Sequence, residues 1–153
     1  MSNRKSSFSL IVDAILSSLC ATPLVLFSLS AAANGITSTP VDQLGYDVTP
    51  EGVAFAPLKG NRFEEPYMAM VRLPAGLVSP PHTKTAAMYG VIVQGEMTHS
   101  LLGTSAADEI ALPAGSFYII PADIPHVSKC ISDIDCVTFL YQDGKFDFNL
   151  VQQ

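Results

Sequence analysis

From Gly52 onward the chain is a succession of short apolar runs, each closed by a turn signal. Val53–Leu58 meets Lys59-Gly60-Asn61, Tyr67–Leu73 meets Pro74-Ala75-Gly76, and Met88–Gln94 meets Gly95. Met97–Leu102 meets Gly103, and Glu109–Leu112 meets Pro113-Ala114-Gly115. Phe117–Ile120 meets Pro121, His126–Ile131 meets Ser132-Asp133, and Cys136–Tyr141 meets Asp143-Gly144. Strands spaced at roughly 8–12 residues predict a β-sandwich or barrel. No segment of this region carries a helical stripe. Eleven prolines in 153 residues also suit β-edges and turns better than helices. A small all-β domain removes its edges by closing on itself or by stacking two sheets.

The first 33 residues read differently. Arg4 and Lys5 precede a largely apolar run from Ala14 to Leu29, and Ser30-Ala31-Ala32-Ala33 follows. Basic, apolar, then Ala-x-Ala is the order of a cleaved secretory signal. A cut after Ala33 leaves Asn34 as the first mature residue and places the protein in the periplasm or outside the cell. The alternative is an uncleaved anchor. A spanning helix takes roughly 20 apolar residues, and this run is shorter and rich in serine. After signal removal no stable membrane insertion is expected. Residues 34–51 have no clear period and read as an extended N-terminal arm, with the folded domain at 52–153.

The whole chain carries eight basic and fourteen acidic residues. The signal takes two of the basic and one of the acidic residues, so the mature part is more acidic still. Nucleic-acid binding needs a basic footprint, and none is present. Of the three cysteines, Cys20 leaves with the signal. Cys130 and Cys136 flank a short turn centred on Asp133, and a tight hairpin brings their side chains together. Two readings stand: a disulfide, which persists outside the cytoplasm, or two buried apolar thiols.

Residues 76–95 and 115–130 resemble the cupin family. Gly76, His82 and Gly95 fall on the first cupin motif, with Lys84 where the second His belongs and Met88 at the Glu position. Gly115, Pro121 and His126 fall on the second motif, with Asp123 replacing a Gly and Cys130 replacing an Asn. The chain is similar to a small single-domain bacterial branch related to the cupin domains of anti-sigma factors. The resemblance implies an all-β double-stranded β-helix, or jelly-roll barrel, with an interior pocket. It also implies a homodimer paired through edge strands. In the family three His and one Glu hold a divalent metal. Here His82 and His126 alone remain, and two ligands are too few for a firm Zn or Fe site. The expectation is therefore no metal, or a weakly held divalent ion of unknown identity.

Strand alternation gives the inward set. With His82 inward, Lys84 is inward too. Met88, Gly90, Ile92 and Gln94 share a face. Beyond the Gly95 turn, the resemblance implies that Met97, His99 and Leu101 are the inward positions, so His99 is a candidate substitute ligand, and a one-residue change of register would send it outside; Cys130 shares a face with His126. His82, Lys84, Met88, His99 and His126 form the candidate ligand-binding set. Imidazole with sulfur donors suits copper, whereas Met in a strand is commonly core filling. Lys84 has three readings. A buried ammonium is restored by a neighbouring anion such as a small carboxylate. A desolvated lysine can serve as base or Schiff-base former. A long side chain can also reach water at the barrel mouth. Asp123 either orients His126 or shapes the turn.

Three functions follow. The first is an exported cupin that binds a small molecule, with a degenerate metal site. The second is a metal-dependent enzyme of isomerase, lyase or dioxygenase type, or a copper-binding periplasmic protein. The third is a ligand-sensing interaction module.

Overall fold

Alternation of buried and exposed side chains fixes two antiparallel sheets. In the computed structural model, which describes residues 35–152, the first sheet holds six strands. They are β1 (Asp47–Val48), β2 (Ala54–Lys59), β3 (Tyr67–Leu73), β5 (Met88–Gln94), β8 (Phe117–Ile120) and β10 (Cys136–Gln142). Their order is β1-β2-β3-β10-β5-β8. The second sheet holds β4 (His82–Thr83), β6 (Glu96–Leu101), β7 (Leu112–Pro113), β9 (His126–Cys130) and β11 (Asn149–Leu150). Its order is β11-β4-β9-β6-β7. The signal segment expected at 1–33 lies outside the described residues. Among the described residues no helix is long and apolar enough to cross a membrane.

Period-two burial is clearest in β3 and β10. Tyr67, Ala69, Val71 and Leu73 are buried on one face of β3, and Cys136, Thr138, Leu140 and Gln142 on one face of β10. These join Ile92 of β5 and Met97 of β6 in the core. Residues 47–48, in the segment expected as an arm, pair with β2 through Asp47–Phe55 and Val48–Ala54.

Two sequence expectations need correction. Glu109–Leu112 does not form a strand: only Leu112–Pro113 pairs, with β6. The Glu109 side chain explains the departure. Its carboxylate accepts from Thr98 Oγ1 at 3.2 Å and from Lys129 Nζ at 2.5 Å, which holds the segment over the outer face of β6 and β9. Leu101 and Gln94 are not inward either: Leu101 is 63 % exposed at the end of β6, and Gln94 is exposed at the end of β5.

Two motif positions show the local cause of the fold. Gly95 joins β5 to β6 at φ 76°, a conformation that glycine adopts without penalty. Asp123 sits at φ 61° where the cupin motif carries glycine. Aspartate tolerates this region better than most side chains. The Asp123 amide donates to the Lys84 carbonyl at 2.7 Å, and the His126 ring bonds to Ile124 instead. Asp123 thus shapes the turn and does not orient the imidazole. Cys130 and Cys136 are joined in a buried disulfide, with Cα atoms 5.7 Å apart.

Candidate functional site

Three adjacent strands of the second sheet deliver three histidines. His82 of β4 lies opposite His126 of β9, and His99 of β6 lies opposite Ser128 of β9. His126 and Ser128 are two residues apart on β9 and share its buried face. The His82 and His126 rings lie 4.2 Å apart between centroids.

Hydrogen bonding assigns the protons. His82 Nδ1 lies 2.9 Å from the Pro80 carbonyl, and His126 Nδ1 lies 2.9 Å from the Ile124 carbonyl. A carbonyl only accepts, so both Nδ1 atoms donate and both Nε2 atoms keep a lone pair. His99 Nδ1 shares a hydrogen bond with Ser128 Oγ at 2.8 Å, in which either atom can donate. The Nε2 atoms of His99 and His126 are buried without a partner. Burial pushes the His82 pKa down to about 4, and burial followed by the neighbouring imidazoles pushes His99 down to about 3. His126 is lowered by burial as well. The cluster is neutral at pH 7.

Lys84 occupies the position of the missing second histidine. It is 5 % exposed, so the snorkelling alternative fails. Its Nζ donates to the Asp147 carbonyl at 2.7 Å and stands 3.8 Å from the Phe146 ring centroid. Phe148 stacks on His82 with centroids 4.0 Å apart. The Asp147 carboxylate is held by Thr85, whose Oγ1 donates at 2.7 Å. Residues 146–148 therefore form a strap across Lys84 and His82, continued by the pairing of β11 with β4. Burial lowers the Lys84 pKa to about 8, against a raising influence from Asp147.

These groups border a cavity of about 540 Å³. His82, Lys84, Met88 and His99 line it, with apolar walls from residues such as Met97 and Leu140. His126 is not on its wall; it meets the site through the His82 ring. The sequence pointed to His82, Lys84, Met88 and His99 but not to the strap. A two-residue aromatic alternation, Phe146-x-Phe148, was the available signal.

The family's metal does not fit this residue set. Among the described residues, no group of three or more His, Cys, Asp or Glu side chains is placed to hold a metal ion. Met88 offers a thioether where a carboxylate belongs. Cys130 is bridged and supplies no thiolate. Lys84 brings a positive charge beside His82, and the carboxylate on the cavity wall, Glu51, is solvent-exposed and not grouped with the imidazoles to offset a divalent cation.

Two antiparallel sheets enclosing a pocket, with both motifs in register, define the chain as a cupin-fold protein. It belongs to the family described as a domain of unknown function, DUF4437, which matches residues 40–149. Solved structures agree on the fold. KdgF from Halomonas sp. is 20 % identical, with 68 % of this chain and 92 % of that chain covered at a TM-score of 0.53. An RmlC-like cupin from Shewanella frigidimarina is 15 % identical, with 71 % and 92 % covered at 0.55. A chain of the complex of Rhodobacter sphaeroides SigE with the anti-sigma ChrR is 18 % identical, with 68 % and 51 % covered at 0.54. No functionally curated protein matches the chain.

Proposed function

We propose that this protein is an exported cupin that binds a small carboxylate in its barrel cavity, with the Lys84 ammonium supplying the charge that a metal supplies elsewhere in the fold. The observation that carries this reading is the buried Lys84 ammonium on the cavity wall. Among the described residues the ion pairs are Arg72–Asp135 and Lys129–Glu109, so Lys84 has none. Asp147 takes one of its three donors through a backbone oxygen. A buried cation of this kind is relieved by an anion. The apolar walls suit a ligand whose remaining surface is hydrocarbon, as in most small-molecule pockets. Export is supported by the signal-like leader and by a disulfide, which persists in oxidising compartments.

The test is elemental analysis of untagged protein from its native compartment, followed by calorimetric titration with straight-chain alkanoates. The expected result is no stoichiometric metal, saturable alkanoate binding, and a roughly ten- to hundredfold loss in Lys84→Met, the scale of one charge-assisted hydrogen bond. One bound divalent metal per chain, or binding indifferent to Lys84→Met, overturns the proposal. A second reading, a metal-dependent enzyme, draws on the lone-pair Nε2 of His82 and the partnerless Nε2 of His126. The same elemental analysis decides it.

A further inference from the structure

The far end of the same cavity carries a second recognition group. His99 lines the 540 Å³ cavity and also a neighbouring apolar cleft of about 240 Å³, and Tyr118 lines both with it. The two rings lie 4.1 Å apart and form the partition. Tyr118 is held by Thr138 Oγ1 at 3.1 Å, and His99 Nδ1 by Ser128 at 2.8 Å. His99 Nε2 is left buried with no partner. A buried polar atom without a partner is costly, and each such atom in a folded protein calls for an explanation.

Strand register separates this atom from Lys84. His82 is level with His126, and His126 is level with Leu101. Since β4 and β6 are both antiparallel to β9, they run the same way two strands apart. Lys84 lies two residues beyond His82, and His99 lies two residues before Leu101. Four residues along and two strands across place the two Cα atoms on the order of 15 Å apart. Met88 and Met97 line the same cavity and give it an apolar wall. The site thus offers a cation, an apolar span and a neutral imidazole nitrogen.

We propose that the ligand is an elongated ω-hydroxycarboxylate, its carboxylate on Lys84 and its hydroxyl on His99 Nε2. The inference rests on the carboxylate reading given above and adds the far-end chemistry. A hydroxyl both donates and accepts, so it satisfies either tautomer of His99, whose proton position Ser128 leaves open. A second carboxylate is disfavoured there, because its burial beside a neutral ring has no compensating cation. The depressed pKa of His99 agrees with a ring that stays neutral.

The test compares a homologous series of straight-chain ω-hydroxyalkanoates with the matching plain alkanoates, by calorimetry on the full chain. The hydroxy acids are expected to bind roughly two- to tenfold tighter at one chain length, the scale of a single neutral hydrogen bond. Their advantage is expected to vanish at shorter lengths. In His99→Leu that advantage is lost, and an unchanged far-UV circular dichroism spectrum reports that the variant is folded. If His99→Leu fails to fold, the length series in the unaltered chain still decides. Plain acids that bind with no hydroxyl gain at any length overturn the ω-hydroxyl inference alone. Failure of every acid to bind overturns the Lys84 reading and this inference together.

Discussion

Replacing Lys84 by methionine is expected to make the ligand-free protein more stable. Burial takes the Lys84 pKa from 10.5 to about 8. That fall corresponds to roughly 3 kcal/mol of penalty on the charged form at pH 7. Methionine removes the charge and keeps much of the apolar stem. It also removes the Nζ bond to the Asp147 carbonyl at 2.7 Å, which costs about 1 kcal/mol. The net expectation is about 2 kcal/mol of added stability, or roughly 8 °C in melting temperature for a domain of this size. The pH dependence has a defined sign. Because the folded value lies below the unfolded one, the unfolded chain holds the extra proton between about pH 8 and pH 10.5. Stability of the unaltered chain therefore rises with pH across that window, and its deficit relative to Lys84→Met closes. Urea denaturation at pH 7 and at pH 10, with the disulfide intact, measures both. A variant that is less stable than the parent at pH 7, with no closing of a gap at high pH, refutes the reasoning.

Gly90→Ala drives a Cβ into the Tyr118 ring. The ring must move off His99 and Thr138, and a loss of about 1–3 kcal/mol is expected from overpacking; a urea midpoint within experimental error of the parent contradicts it. Removing the bridge in the double variant Cys130→Ala, Cys136→Ala opens a loop with a sequence separation of 6. Chain entropy puts the cost at about 2 kcal/mol, read as a lower urea midpoint, and an unchanged midpoint counts against it.

Legibility in the sequence followed the length of each pattern. Tyr67–Leu73 and Met88–Gln94 are seven-residue alternations, and both appear as strands with those bounds. His82–Thr83 is a two-residue strand with no period to detect; the family motif and not alternation located His82. The inward direction of Lys84 followed from its two-residue offset from His82. Its partner did not, because Asp147 lies 63 residues further along the chain. The β-propensity of Glu109–Leu112 was overridden by a tertiary contact, the Glu109 carboxylate reaching Lys129 and Thr98. His99 was marked as a pocket residue by the family's inward pattern after the Gly95 turn, whereas the burial of its Nε2 depends on the Tyr118 ring from the opposite sheet.

The charge state of one amine bears most directly on whether an ammonium stands in for a metal here. Titration of the Lys84 side-chain resonance by NMR, with and without saturating hexanoate, reads it in place. A midpoint near 8 in the free protein, moving upward when the alkanoate is bound, is the predicted result. A midpoint at the ordinary lysine value of 10.5, unmoved by hexanoate, would contradict it.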